Sequence, residues 1–281
     1  MSCIYKIKEA QSSFTSTEKI IADYILENHS KIIERSAQEL GVITGTSAAA
    51  WIRFAQRLGY KGLTAMKVDI AKNPEEEDEF FDFMIEEKDS LDTMIKKVHK
   101  MSVNHINTTY KLLNTENLQN AIDYISKANK IYLTGIGGSG IVCLDLLQKF
   151  TRINKDIIYH EDPHVLMARM AHMGWDDVLI AISYSGETQL VNTAVAHAKS
   201  VHTPIIAITQ YNIRSTLSSL ANIKLYTPIV EKELRLGAIA SRNSALTLID
   251  LLYYGVAKLE FEKNKENLIK TRTLIHELDH K

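Results

Sequence analysis

The chain has 281 residues, a formal net charge of −1, 45% hydrophobic and 24% charged residues, which excludes a disordered or fibrous chain and leaves room for two globular cores. No apolar run approaches the ~20 residues of a membrane-spanning helix, and no apolar N-terminal stretch resembles a signal peptide. The two cysteines, Cys3 and Cys143, are far apart and in no metal-ligand spacing, which argues against a disulfide framework and for a reducing, cytoplasmic compartment.

Residues 1 to about 72 read as helical throughout. Thr15-Ser16-Thr17-Glu18 has the form of a capping box, and Ile20, Ile21, Tyr24, Ile25 and Leu26 supply an apolar face after it. Ser36 is placed to cap a second helix through Leu40; Gly41–Gly45 then reads as a turn. Ala48–Leu58 follows as an alanine-led helix ended by Gly59, and Tyr60-Lys61-Gly62 as the next turn. From Leu40 through Val68 there is no acidic residue, while Arg53, Arg57, Lys61 and Lys67 are present. A helix, a glycine-containing turn and a second, basic helix fit helix-turn-helix DNA binding. They also fit a small bundle whose basic residues only keep it soluble.

Asn73-Pro74-Glu75-Glu76-Glu77-Asp78-Glu79 reverses the sign of charge and reads as a solvated boundary. Ser90–Leu113 and Glu116–Ala128 are amphipathic helices that lead into a second domain or pair with another copy of the chain. Beyond Lys130, short β-rich runs at Ile131–Thr134, Asp156–Tyr159, Val178–Ile182, Pro204–Thr209 and Ile223–Thr227 alternate with helical patterns. Those helices are expected at Val142–Thr151, Val165–Met173, Gln189–Ser200 and Ser215–Ala221, with a last one from Ala240 to Leu259. Such alternation predicts a parallel sheet covered by helices on both faces, with ligands at the carboxyl ends of its strands.

Two loops at such strand ends carry the functional signal, Gly135-Ile136-Gly137-Gly138-Ser139-Gly140 and Ser183-Tyr184-Ser185-Gly186-Glu187-Thr188. Strand, small polar loop and helix together aim backbone N–H groups at an anion. Ser183, Ser185 and Thr188 can donate to phosphate oxygens, and Gly186 lets the backbone come close; the bland alternative is that these hydroxyls only cap the next helix. Glu187 is expected in the first turn of that helix. Gly135, Gly137 and Gly140 also match G-x-G-x-x-G, with Glu161 and Asp162 where a dinucleotide fold places its ribose-binding acid. That reading leaves the second loop without a role and the chain without a separate substrate domain. His160 and His164 lack the spacing of a metal site, so structural hydrogen bonding is expected of both. Arg242 suits either a ligand phosphate or a carboxylate at a subunit interface.

The two loops resemble the phosphosugar-binding loops of the sugar isomerase (SIS) domain family. Gly45–Phe54 with Leu58-Gly59-Tyr60-Lys61-Gly62 resembles the helix-turn-helix of RpiR-type transcription regulators, which join it to a C-terminal SIS domain. Asp162-Pro163-His164, Gly237-Ala238, Ser241-Arg242 and Leu248–Tyr253 are similar to the same family, so the resemblance spans nearly the whole chain. Ala50 and Ala245 depart from it, standing where a Thr and an amide side chain are usual. The resemblance implies an all-α helix-turn-helix domain over residues 1–74, an acidic linker and connecting helix over 75–105, and over 106–281 an α/β SIS domain with a five-stranded parallel sheet between helices. It implies that Ser139, Ser183, Ser185 and Thr188, with Gly137, bind a sugar phosphate. Ser47, Ala48, Ala49, Arg53 and Lys61 would lie on a double-stranded DNA operator, read by a homodimer or tetramer. No cofactor, metal or membrane partner is expected. SIS folds also occur in enzymes; a phosphosugar isomerase is the competing reading, with Glu231 and Glu233 as its candidate bases, although a Glu in a charged stretch is usually solvated and a sensor without catalytic residues is expected.

Overall fold

In the computed structural model the described residues are 3–10, 14–72, 85–211, 215–229 and 237–279. They fall into two compact units, Met1–Asp89 and Ser90–Lys281, each with its own core. The acidic boundary around Glu75–Glu79 and the stretch containing Glu231 and Glu233 lie outside the described residues.

The first unit contains α1 (Cys3–Ala10), α2 (Ser16–Ile32), α3 (Ala37–Ile43), α4 (Ala48–Arg57) and α5 (Leu63–Lys72). At the start of α2 the Glu18 N–H donates to Thr15 Oγ1 at 3.4 Å and Glu18 Oε2 accepts from the Thr15 N–H at 2.8 Å, so two orphan donors satisfy each other's residues. Ser36 and Glu39 repeat the device at α3. The core is made by Ile21 and Ile25 of α2, Trp51 and Phe54 of α4, and Met66 and Ile70 of α5. Burial of side chains this size contributes about 1.5–3 kcal/mol each.

Gly41 does not open a turn. It lies inside α3, where a Cβ would sit 3.0 Å from the Ala48 N and 3.1 Å from the Ser47 carbonyl carbon. The missing side chain is what lets α3 cross the start of α4. The turn proper is Thr44–Ser47, closed by a Thr46 N–H bond to the Gly41 carbonyl at 2.8 Å. The Thr44 hydroxyl donates to the Leu40 carbonyl at 2.7 Å and accepts from Trp51 Nε1 at 3.2 Å, tying the turn to the core.

The second unit opens with α6 (Leu91–Leu112) and α7 (Thr115–Lys127). Then follow β1 (Ile131–Thr134), α8 (Gly138–Arg152), β2 (Ile157–Ile158), α9 (Pro163–Met170), β3 (Val178–Ile182), α10 (Gln189–Ser200), β4 (Ile205–Gln210), α11 (Thr216–Leu220), β5 (Ile223–Thr227), α12 (Ile239–Leu259) and α13 (Phe261–Asp279). The domain edge expected at residue 106 falls within α6. All strands pair in parallel in the order β2-β1-β3-β4-β5. Strand alternation divides the apolar residues between two cores. Leu133, Ile180 and Ile206 pack with Leu146 of α8 and Leu248 and Leu252 of α12; Tyr132, Leu179 and Ala207 pack with Leu166 of α9 and Val191 and Val195 of α10.

In the second unit α9 starts at Pro163 rather than Val165 and β2 shortens to Ile157–Ile158, and two elements differ further from the sequence reading. Helix α8 begins at Gly138 rather than Val142, because Gly138 and Gly140 form its first turn. A Cβ at Gly138 would meet the Ala238 Cβ at 2.8 Å and one at Gly140 the Tyr159 hydroxyl at 2.8 Å, so close packing accounts for glycine at both. Helix α13 was not anticipated: its exposed, charge-rich sequence has little apolar periodicity, and Asn264 and Asn267 fasten it through bonds to the Ala257 and Ile153 carbonyls at 3.0 and 3.4 Å.

Candidate ligand cleft and nucleic-acid interface

In a parallel sheet ordered 2-1-3-4-5, the chain leaves β1 and β3 in opposite directions, and the crevice at their carboxyl ends is the natural ligand site. Both hydroxyl-bearing loops lie there. They border an open cleft of about 590 Å³, open solvent included. Gly138 and Ser139 line it from the first loop, Tyr184, Ser185 and Thr188 from the second, and Ile182 and Ile208 from the strands. Thr227 ends β5 on the same cleft, and Ala238, Ser241, Arg242 and Ala245 of α12 form another wall.

The second loop divides its hydroxyls between scaffold and surface. Ser183 is 2% exposed and absent from the cleft lining. Its Oγ lies 2.8 Å from Thr188 Oγ1 and accepts from the Gly186 N–H at 3.2 Å, so it shapes the loop instead of facing the cleft. Ser185 and Thr188 do face it. Gly186 has φ +71° and fits against Ser215, whose Oγ a Cβ would approach to 2.5 Å; only glycine meets both demands without strain. Glu187 is not in the first turn of α10. It precedes the N-cap Thr188 and reaches α11, accepting from the Thr216 N–H at 2.7 Å and from the Thr216 hydroxyl at 2.8 Å.

In the first loop, Gly137 is the N-cap of α8 with φ +58°; it is not among the cleft-lining residues. Tyr159 donates to the Gly135 carbonyl at 3.1 Å. Burial first, then proximity to Cys143 and Glu161, pushes its phenol up to about 12, so it remains a donor and holds the loop. Cys143, fully buried beneath Gly135, has its thiol pushed well up by burial, which makes it unreactive. Asp162 caps α9, accepting from the His164 and Val165 N–H groups at 2.8 and 3.3 Å. His160 Nδ1 accepts from the Asp162 N–H at 3.0 Å, a structural bond. Among the described residues no group of three metal-ligating side chains occurs.

Helix capping marks the cleft further. Side-chain caps close α2, α3, α4, α6, α7, α9 and α11. The N-termini of α8, α10 and α12, capped by Gly137, Thr188 and Ala238, carry no side-chain cap bond, and all three begin at the cleft. Thr188 therefore does not act as a side-chain cap here. The Ser139 N–H is taken by the Ile136 carbonyl at 3.2 Å, but the start of each of these helices still carries about half a positive charge.

Sequence reasoning favours an interface or structural role for Arg242, because α12 starts about a hundred residues after the first loop. The fold places it on the cleft, and the Ser241-Arg242 pair after Gly237-Ala238 was the available signal. Thr227 was missed altogether, since a threonine ending a strand carries no distinguishing pattern.

On the first unit, α4 exposes Ala49, Ile52, Arg53 and Gln56, an i, i+3, i+4, i+7 set on one face; Ala48 is half-buried beside them. The Ser47 hydroxyl accepts from the Ala50 N–H at 3.1 Å and so caps the helix. The four basic residues of the acid-free stretch separate into two pairs. Arg57 forms an ion pair with Glu18 and Lys67 donates to the Arg35 carbonyl, whereas Arg53 and Lys61 are exposed and in no ion pair with a described residue. Ile52 and Gln56, on the face of Arg53, were not singled out from the sequence.

These features define a helix-turn-helix protein that carries a second, α/β unit with a cleft suited to an anion. Residues 1–77 match the helix-turn-helix domain of the rpiR family and residues 124–254 match the SIS domain. The HTH-type transcriptional regulator TTE0211 of Caldanaerobacter subterraneus subsp. tengcongensis is 36% identical over 255 residues, covering 91% of this chain and 90% of that one. YbbH, an HTH-type transcriptional regulator of Bacillus subtilis, is 31% identical over 273 residues, covering 97% and 96%. The chain belongs to the RpiR family of helix-turn-helix transcriptional regulators with a SIS domain, and it is a regulator rather than an enzyme. Among solved structures it is similar to the Vibrio vulnificus NanR protein complexed with ManNAc-6P, with a TM-score of 0.62 and 26% identity over 99% of each chain. The sugar isomerase domain of an RpiR transcription factor from Sphaerobacter thermophilus, 19% identical with a TM-score of 0.58 over 64% of this chain and 98% of that one, shares the fold. Among the described residues no helix is long and apolar enough to cross a membrane.

Proposed function

We propose that the chain is a cytoplasmic regulator whose hold on a double-stranded DNA operator is set by a sugar phosphate in the cleft of the second unit. The observation that carries this reading is the convergence of three helix N-termini without side-chain caps on a cleft lined by the hydroxyls of Ser139, Ser185 and Thr188. A phosphate is the group that such donors satisfy. Gly137 and Ser183 serve the site by shaping its loops. The similarity to NanR complexed with ManNAc-6P supports a phosphorylated sugar as the ligand class.

Arg53 and Lys61, with the first turn of α4 behind Ser47 and Ala48-Ala49, supply the DNA contacts: Arg53 at the base edges or backbone, Lys61 and the helix N-terminus at phosphates. Paired half-sites call for a dimer, or a tetramer of two dimers. The ligand acts by binding the DNA-competent and incompetent states unequally. The test is a thermal-shift screen of the full chain against sugar phosphates, with NAD and NADP included, followed by operator binding on DNA selected in vitro. A sugar phosphate that raises the melting temperature and changes operator affinity is the expected result. Stabilisation by NAD or NADP alone, or operator affinity indifferent to every sugar phosphate that binds, would overturn the reading.

A further inference from the structure

The cleft has a wall that the two hydroxyl loops do not supply. Because a Cβ on Gly138 would lie 2.8 Å from the Ala238 Cβ, the first turns of α8 and α12 abut. Arg242 stands one turn into α12, its N–H bonded to the Ala238 carbonyl at 3.1 Å, and lines the same cleft as Ser139 and Thr188. Among the described residues lining the cleft it is the one charged residue, and no described residue forms an ion pair with it. Thr227 provides the second observation. It is 2% exposed, lines the cleft, and its Oγ1 has no hydrogen-bond partner among the described residues. A buried hydroxyl without a partner is destabilising, so its place at a cleft points to a partner that arrives with the ligand.

We propose that Arg242 and Thr227 complete the phosphate site and make it selective for a doubly charged phosphate monoester. This rests on the reading that the cleft takes a phosphate ester. Three helix N-termini supply about half a charge each, enough to balance a singly charged diester or sulfate ester. A monoester carries about −1.5 to −2 at neutral pH, and the guanidinium adds a full charge with paired donors that match phosphate geometry. The Thr227 hydroxyl donates to a remaining phosphate oxygen.

The experiment compares methyl phosphate with methyl sulfate at pH 8, titrated into the full chain by NMR, for the wild type, Arg242→Gln, Arg242→Lys and Thr227→Val. The wild type should bind methyl phosphate at least tenfold more tightly than methyl sulfate. Arg242→Gln should cut that ratio to about threefold or less without lowering the melting temperature, and Arg242→Lys, which keeps the charge but loses the fork, should fall between. Thr227→Val should raise the melting temperature of the ligand-free protein yet weaken methyl phosphate binding severalfold, a pairing that a purely structural threonine would not give. Unchanged affinity and unchanged ratio in Arg242→Gln, with the wild type binding normally, would overturn this inference alone. A wild type that binds neither methyl phosphate nor any sugar phosphate would overturn the underlying reading with it.

Discussion

Replacing Gly186 by alanine should unfold the ligand loop from its centre. The residue has φ +71°, and the added Cβ would stand 2.5 Å from Ser215 Oγ, 2.6 Å from Ser215 Cβ and 3.2 Å from Thr209 Oγ1. A left-handed backbone costs a non-glycine residue about 1–2 kcal/mol, and forcing a methyl into filled space about 1–3 kcal/mol. Relief by movement of Ser215 is blocked, because its Oγ accepts from the Ser218 N–H at 3.2 Å and caps α11; losing such a cap costs about 0.5–2 kcal/mol itself. The expected loss is therefore about 2–5 kcal/mol, a large share of the 5–15 kcal/mol typical of a domain. Urea unfolding followed by far-UV circular dichroism measures it, and ligand titration should show binding falling with it, since Gly186 N–H also anchors Ser183. A loss below about 1 kcal/mol would refute the reasoning, because the loop would then have room that the structure denies it.

Ser183→Ala removes the hydroxyl that meets Thr188 Oγ1 and the Gly186 N–H and is expected to cost about 1–3 kcal/mol of stability. Ser185→Ala, whose hydroxyl among the described residues accepts only a 3.2 Å bond from the Glu187 N–H within its own loop, should leave stability within about 1 kcal/mol while weakening sugar phosphate binding; the two measurements side by side separate scaffold from contact. Arg53→Ala and Lys61→Ala should each weaken operator binding, and Lys61→Ala should reduce the slope of log affinity against log salt by about 1; a slope unchanged by Lys61→Ala would place that side chain off the DNA. The Glu18 carboxyl is raised by burial but lowered further by its bonds to Thr15 and Arg57, so the net direction is below its ordinary 4.5. A carboxyl depressed in the folded state contributes stability above its unfolded value and loses it as pH falls through the folded one. Acid denaturation of the first unit, read by the fluorescence of buried Trp51, should thus steepen below about pH 4.5, and Glu18→Gln should flatten that limb.

Much of the fold was legible because its signals are local. Thr15 and Ser36 cap the helices that follow them, each by reaching a donor only three residues ahead, a distance that residue identity alone settles. The runs Ile131–Thr134, Val178–Ile182 and Ile223–Thr227 stand as strands with those bounds, since short β-branched runs between turn residues have few other folds open to them. Gly41 misled for a complementary reason: a glycine placed for a neighbour's close approach has the same appearance in a sequence as one placed for a turn.

The candidate site was legible only as a pair of loops. That Ser183 points inward while Ser185 points to the cleft depends on the path the chain takes after β3. That Glu187 serves Thr216, and that Arg57 and Lys67 are held by Glu18 and Arg35 while Arg53 and Lys61 are exposed without an ion pair, depends on which elements pack together. By itself, the sequence determined the elements, their order and the presence of two small polar loops at strand ends, all consequences of steric and hydrogen-bonding preferences within a few residues. The tertiary structure alone decided which hydroxyls reach the cleft and brought Thr227 and Arg242 to it, because sheet order and helix packing are set by burying apolar faces between segments a hundred residues apart.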